Sequence, residues 1–493
     1  MMSQKNSFLR RSRFLLLTSL FGLVACSDDD DLSGPQPTDA TVNVQDFMWK
    51  AMNEWYFWQA DVPDLADNRF ANDSLYTAFL QLENDPEQFI GNILFSEDRF
   101  TFYNEDYNVL LNSLSGVSKT NGMQFFIGGL ANEETDNVYG FIRNVVPGSN
   151  AAEAGLRRGD VFYAVDGQQL NDQNFSALLF GDNDTYTLSM GELDPVTRLV
   201  NPTQEQVTLT KIADFLEPPI RLSKTLDING QKIGYLMYQR FNRNFDEELN
   251  DVFGKFVADG VTDLVLDLRY NPGGSVNTSR LLASMIYGRN EDDLYIRQRW
   301  NNKQQERFSK SQLEDYFEDQ LPDGTTLNTL NLTRLFVLAT GRSASASELL
   351  INGLNPYIDV IHIGDTTRGK NEFSISLVDD SDNRYRYSQS RENRIDPDNS
   401  WIIQPLVGRN ENALGFLDYT AGFTPDIPIR EDVFNLGQFG DANEPLLAQA
   451  IAEITGSGTV ARKTLRDQPQ EQLQYDTPAP GLMLLDKPLL QPE

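Results

Sequence analysis

A serine and a lysine 25 residues apart are the side chains in this sequence best suited to chemistry. Ser345 lies in Thr340-Gly341-Arg342-Ser343-Ala344-Ser345-Ala346-Ser347-Glu348-Leu349, and Lys370 closes Thr367-Arg368-Gly369-Lys370. A serine hydroxyl attacks a carbonyl only when a base takes its proton. Histidine is the usual base, and the chain has one, His362. It sits in Asp359-Val360-Ile361-His362-Ile363, where strand alternation puts it on a sheet face as a structural residue. Serine chemistry here therefore points to lysine as the base. That role needs an amine whose pKa falls from about 10.4 toward 7–8 through burial. Apolar runs on both sides of the Ser345–Lys370 segment can supply such a setting.

Other chemistries find little support. One His and one Cys exclude Cys/His zinc sites and multi-histidine metal centres. No Gly-x-x-x-x-Gly-Lys-Ser/Thr phosphate loop occurs. No metal or organic cofactor is expected. Two features fit acyl chemistry. Leu335 to Ala339 reads as a strand, a small-residue turn follows, and a helix begins near Ser345. Amides at a helix N-terminus stabilise an oxyanion, and Gly341, Ala344 and Ala346 leave room for a substrate backbone. Serine and alanine at a helix start are also ordinary capping. Asn271-Pro272-Gly273-Gly274 follows a buried strand ending at Arg269. Its glycines let backbone amides approach a ligand, or simply end the strand.

The elements that must position these residues alternate from Ile233 onward. Strands are expected at 233–238, 264–269, 334–339 and 358–363, with helices at 246–257, 281–287 and 347–354. That alternation predicts an α/β domain with largely parallel pairing. Upstream, Phe47 to Trp58 carries Met48, Met52, Trp55 and Tyr56 near helical spacing, and Leu75 to Leu82 reads as a further helix. Residues 43–105 are therefore expected to be a small helical domain whose aromatic cluster is core. The 493 residues, 40% hydrophobic, fit two to four globular domains.

Residues 1–25 read as a targeting leader: Lys5, Arg10, Arg11 and Arg13, then an apolar run from Phe14 to Ala25 too short to be a confident membrane span. Leu23-Val24-Ala25-Cys26 resembles a bacterial lipobox, which implies lipidation of Cys26, the only cysteine. Ser27-Asp28-Asp29-Asp30-Asp31 resembles an acidic tag that sends lipoproteins to the surface of some Gram-negative bacteria. The expectation is a lipoprotein anchored to the outer membrane, at the cell surface or on the periplasmic side. Residues 26–42 read as a tether and 459–493 as a loose proline-bearing tail. A net charge of −31 argues against a nucleic-acid partner.

Within 106–212, the pattern V-P-G-S-x-A-x-x-A-G-L-x-x-G-D-x-x-x-x-V-D-G beginning at Val146 resembles a PDZ domain. That resemblance implies capture of an extended peptide C-terminus at a sheet edge, with Gly122, Met123, Gln124 and Phe125 where the carboxylate-holding loop would fall. Leu266-Asp267-Leu268-Arg269-Tyr270-Asn271-Pro272-Gly273-Gly274, then Ser343 to Glu348, then Gly364 to Lys370, resemble the tail-specific, or C-terminal processing, serine proteases of peptidase family S41. Gly422-Phe423-Thr424-Pro425-Asp426 resembles the closing motif of that family.

The resemblance implies an α/β protease domain with a crotonase/ClpP-like core over 213–458. It implies Ser345 as nucleophile, Lys370 as general base, and oxyanion amides at Ala346 and at Gly273 or Gly274. The expected substrate is a protein or peptide; the sequence leaves the oligomeric state open. Many relatives carry Gln four residues after the lysine; here Ser374 stands there, a candidate third member of shorter reach, and Asn371 replaces a frequent Gly. That departure keeps open a non-catalytic peptide-binding lipoprotein on the same fold, and an esterase-like or transglycosylating hydrolase is a further alternative.

Overall fold

A computed structural model describes residues 35–130, 136–288, 292–457 and 482–485. The expected leader, Cys26 with its expected lipid, the acidic run and the remainder of the tail lie outside the described residues.

Three helices open the described chain: α1 (Asn43–Trp55), α2 (Asp73–Leu80) and α3 (Pro86–Asn92). Asn72 and Asp85 cap α2 and α3 by accepting first-turn amides, and Pro86 occupies the first turn of α3. Phe47, Met48, Met52, Trp55 and Tyr56 are fully buried. Their core is continuous with that of the C-terminal half. Trp55 packs on Trp300 at 5.9 Å, and its indole N–H donates to Arg384 O at 2.7 Å.

An antiparallel sheet follows, in the order β1 (Met123–Gly128), β2 (Tyr139–Val145), β3 (Val161–Val165), β4 (Thr185–Asp194), β5 (Leu199–Thr210). A short helix, α4 (Phe175–Phe180), packs on it through Phe175 and Leu179. β1 is an edge strand, paired only with β2.

The C-terminal half holds two six-stranded sheets. The first runs β6 (Ile220–Ile228), β7 (Gln231–Tyr238), β8 (Asp263–Asp267), then, past a distinct strand β9 (Gly273–Ser275) and further elements, to β12 (Arg334–Ala339), β13 (Asp359–Gly364) and β16 (Ile427–Pro428). All its pairings after β6–β7 are parallel. Its central strands are apolar on both faces, as a parallel sheet covered on both sides requires. Leu264, Leu266, Leu335, Val337 and Ala339 face one core, with α5 (Asp246–Asp259), α6 (Val276–Tyr287) and α7 (Ala346–Leu354). Val265, Phe336 and Leu338 face another, with α8 (Pro445–Thr455).

The second sheet runs β9, β17 (Leu482–Leu484), β14 (Glu372–Ser374), β15 (Leu406–Glu411), β10 (Leu294–Trp300), β11 (Glu314–Tyr316). The tail expected to be loose therefore contributes a strand to this sheet. Its residues pair with Gly273 to Ser275 and with Ser374. No helix among the described residues is long and apolar enough to cross a membrane.

Candidate active site

The turns leaving β8, β12 and β13 converge at the carboxyl end of the parallel sheet, where open α/β sheets bind ligands. They carry Asn271–Gly274, Thr340–Ser345 and Asp365–Lys370. Asn271 O accepts the Ala344 N–H at 3.1 Å and the Ser347 hydroxyl at 3.0 Å. Ser343 donates to Leu268 O at 2.7 Å, and its own O accepts the Arg368 N–H at 3.0 Å.

Ser345 caps α7 with φ +65° and ψ −112°, a left-handed value that costs a residue with a Cβ and recurs at functional sites. It is fully buried, and its Oγ, at the cap position, makes no well-formed hydrogen bond. Ala346 is the first residue of α7, so its amide has no acceptor within the helix. Lys370 is 1% exposed. Burial pushes its amine down to about 8, against the opposing pull of Glu372, Asp98 and Glu348. Its Nζ lies 5.3 Å from the Phe100 ring centre, and Arg99 donates to Gly369 O at 2.6 Å. The N-terminal helical region thus lines the lysine's surroundings, which no local sequence signal announced.

Glu348 joins the two candidates. Its Oε2 accepts the Ser345 N–H at 2.8 Å and the Lys370 N–H at 2.9 Å. Its Oε1 accepts the Gly369 N–H at 2.7 Å and the Thr367 hydroxyl at 2.5 Å. Burial raises its pKa, and these four hydrogen bonds oppose the rise. The spacing Ser345-x-x-Glu348 is a capping-box signature, the one sequence cue to this carboxylate.

Gly273 and Gly274 adopt φ +108° and +140°, and a Cβ on Gly274 would meet Phe241 O at 2.1 Å. The Gly273 amide donates to Asn271 Oδ1 at 2.9 Å. Ser374 lies on β14, and its O accepts the Leu485 N–H at 3.1 Å. His362 is buried on β13, with Nε2 3.3 Å from Ala339 O and its backbone N–H donating to Asp426. Burial pushes its imidazole pKa down. Ser345 Oγ makes no hydrogen bond to it.

Gly122 immediately precedes the edge strand β1, which itself carries Met123, Gln124 and Phe125, expected in the carboxylate-holding loop. The Gly122 and Met123 amides donate to Thr120 Oγ1 and Asn121 Oδ1, each at 3.0 Å. Met123, Gln124 and Phe125 line a cavity of about 590 Å³ together with Phe180 of α4 and with Arg240 and Pro272 of the C-terminal half. No group of three or more His, Cys, Asp or Glu residues poised to hold a metal occurs among the described residues.

Comparison with known families supplies the remaining observation. Residues 232–408 match the model of Peptidase family S41, residues 43–102 that of the Peptidase S41 N-terminal domain, and residues 141–186 that of a PDZ domain. Over the first two of these segments the chain is similar to peptidase family S41 and its N-terminal domain. A carboxyl-terminal-processing protease of Picosynechococcus is 26% identical over 272 residues, 54% of this chain and 58% of that one. The chloroplastic C-terminal processing peptidase of Tetradesmus obliquus is 29% identical over 251 residues, 48% of each chain. The chain thus spans only about half the length of these curated relatives. Among solved structures, a Bacteroides fragilis protein described as an S41 protease has a TM-score of 0.67 at 27% identity, covering 83% of this chain and 97% of its own.

Proposed function

We propose that this protein is a serine endopeptidase of family S41, acting on protein substrates through a Ser345–Lys370 dyad. The observation that carries the reading is the Glu348 carboxylate, which ties the Ser345 and Lys370 backbones together beside an amine held near pH 8. An amine of that pKa is partly neutral at physiological pH and can accept a proton. Lys370 takes the hydroxyl proton as Ser345 Oγ bonds the scissile carbonyl carbon. The Ala346 amide, with that of Gly274 or of Gly273 once released from Asn271, holds the oxyanion. Collapse breaks the peptide C–N bond, and Lys370 returns its proton to the leaving amine. Water, deprotonated by the same lysine, then hydrolyses the acyl-enzyme. Ser374 is the candidate third member.

The PDZ-like sheet presents a substrate C-terminus along β1. The parallel sheet is read as a crotonase/ClpP-like core. Cys26 carries the lipid that anchors the protein to the outer membrane; labelling with a fatty-acid analogue, lost in Cys26→Ala, checks that anchor.

The test is degradation of casein by the mature soluble form beside Ser345→Ala and Lys370→Ala, each checked for folding. Both variants are expected to lose turnover. Retained activity in Lys370→Ala would remove lysine as the base, and an inactive wild type would leave a peptide-binding protein.

A further inference from the structure

β17 is one strand wide and fills a gap between two walls of the candidate site. One wall is β9, which begins at the candidate oxyanion residue Gly273. The other is β14, which begins two residues after Lys370. Gly273, Gly274 and Ser275 pair in parallel with Leu482, Met483 and Leu484, and Ser374 pairs with Leu484. β9 and β14 have no direct pairing with each other. With neighbouring strands about 4.8 Å apart, they stand roughly 9.6 Å from one another, the spacing that admits one extended peptide. Backbone groups at both edges are left to be satisfied by whatever enters.

The occupant is apolar. Met483 is fully buried, Leu485 nearly so, and both join the main core. Asn410 Nδ2 lies 3.0 Å from Met483 Sδ. Past Leu484 and Leu485 the slot opens into a cavity of about 740 Å³, lined among others by Ser275, Ile375, Ser376 and Arg386. The strand is short, and the intervening residues 458–481 connect it to the end of α8. A segment of the same chain holds such a slot at high local concentration, against which a separate peptide must compete.

We infer that the slot between β9 and β14 is a binding site for an extended apolar peptide, and that the chain's own residues 482–485 are its resident occupant. This rests on the Ser345–Lys370 reading in one respect: the walls of the slot begin at Gly273 and two residues past Lys370, so a strand held between them is placed to compete with a substrate backbone.

The test uses the full mature chain with Met483→Asp and Leu485→Asp together. Casein turnover is expected to rise about tenfold on losing a tethered competitor. Binding is read separately, in a Ser345→Ala background, with a fluorescent peptide copying residues 478–488. It should bind the doubly substituted chain about tenfold tighter than the chain with an intact tail, since one peptide then meets an empty slot. Hydrogen exchange on the Ser345→Ala chain alone, with no change to the tail, should show residues 482–485 protected. Protection and selective peptide binding without casein turnover in any variant would keep the slot and reject the protease reading. Fast exchange at 482–485, or equal peptide binding with and without the tail substitutions, would overturn the slot inference.

Discussion

Lys370 is the residue whose proposed function and cost to the fold oppose each other. An ordinary lysine titrates near 10.5, and burial brings this one down to about 8. Below pH 8 the amine is charged in both folded and unfolded chains, and the folded one bears the full desolvation penalty. Between about 8 and 10.5 the unfolded chain binds the extra proton, so stability rises with pH through that window. A shift of that size corresponds to about 3 kcal/mol. Lys370→Met is therefore expected to be inactive yet more stable than wild type at pH 7 by about 3 kcal/mol, with the gain fading above pH 8. Denaturant titrations at several pH values check this, and casein turnover of the wild type should rise with an inflection near pH 8. A destabilised Lys370→Met would mean that the amine is held by bonds worth more than its desolvation. Elimination of the one unsuitable histidine points only to a lysine base; the choice of Ser345 and Lys370 themselves comes from the resemblance of their motifs to the S41 peptidases. The positive φ of Ser345 was not legible, since it follows from the turn's packing rather than from residue type.

At the scale of elements, the turn after β12 and the turn after β13 are coupled by one side chain. Glu348, on the first turn of α7, offers four acceptor positions and fills each with a donor from Ser345, Thr367, Gly369 or Lys370. Glu348→Gln keeps the shape and replaces one oxygen by an NH₂ group, which meets donors and cannot accept. Either Ser345 and Lys370 or the Thr367–Gly369 turn then loses its anchor. Misplacing reacting groups by about 1 Å costs on the order of a hundredfold in rate. The expected outcome is a fall of that order in kcat with little change in KM, in a variant that still melts cooperatively. Unchanged kcat would reduce Glu348 to a helix cap. Gly369 serves the same junction: at φ +79°, a Cβ there would meet Thr420 O at 2.2 Å. Strand–helix alternation made the parallel sheet legible, because buried central strands read as apolar runs. β17 escaped notice because Leu482 to Leu485 is a four-residue apolar run among prolines, too short to tell from a loop without the edges it pairs with.

Across the whole molecule, the PDZ-like sheet is fastened to the C-terminal half by a buried charge network. Arg158, from the turn before β3, donates to Glu431 at 2.6 Å, to the Tyr270 hydroxyl at 2.8 Å and to Gly437 O at 3.1 Å. Arg269 joins Glu431 to Asp267 and Glu444. No local pattern reveals these pairs, since Arg158 and Glu431 lie 273 residues apart. Tyr270 immediately precedes Asn271-Pro272-Gly273, so the fastening adjoins the candidate oxyanion turn. Removing one member of a buried pair leaves an uncompensated charge and costs about 3–5 kcal/mol. Arg158→Ala should therefore lower stability by that order.

Its pH dependence identifies the cause. Arg158 and Arg269 hold the Glu431 carboxyl down to about 2, from an ordinary 4.5. A depressed carboxylate contributes stability that is present above pH 4.5 and is lost as pH falls through 4.5 toward 2. Without Arg158 the carboxyl titrates higher, so acid unfolding followed by circular dichroism should begin at a higher pH than in wild type. An acid transition that stays in place while overall stability drops would assign the loss to the stacking of the guanidinium over the Phe439 ring, 4.2 Å from its centre, and not to the charge pair.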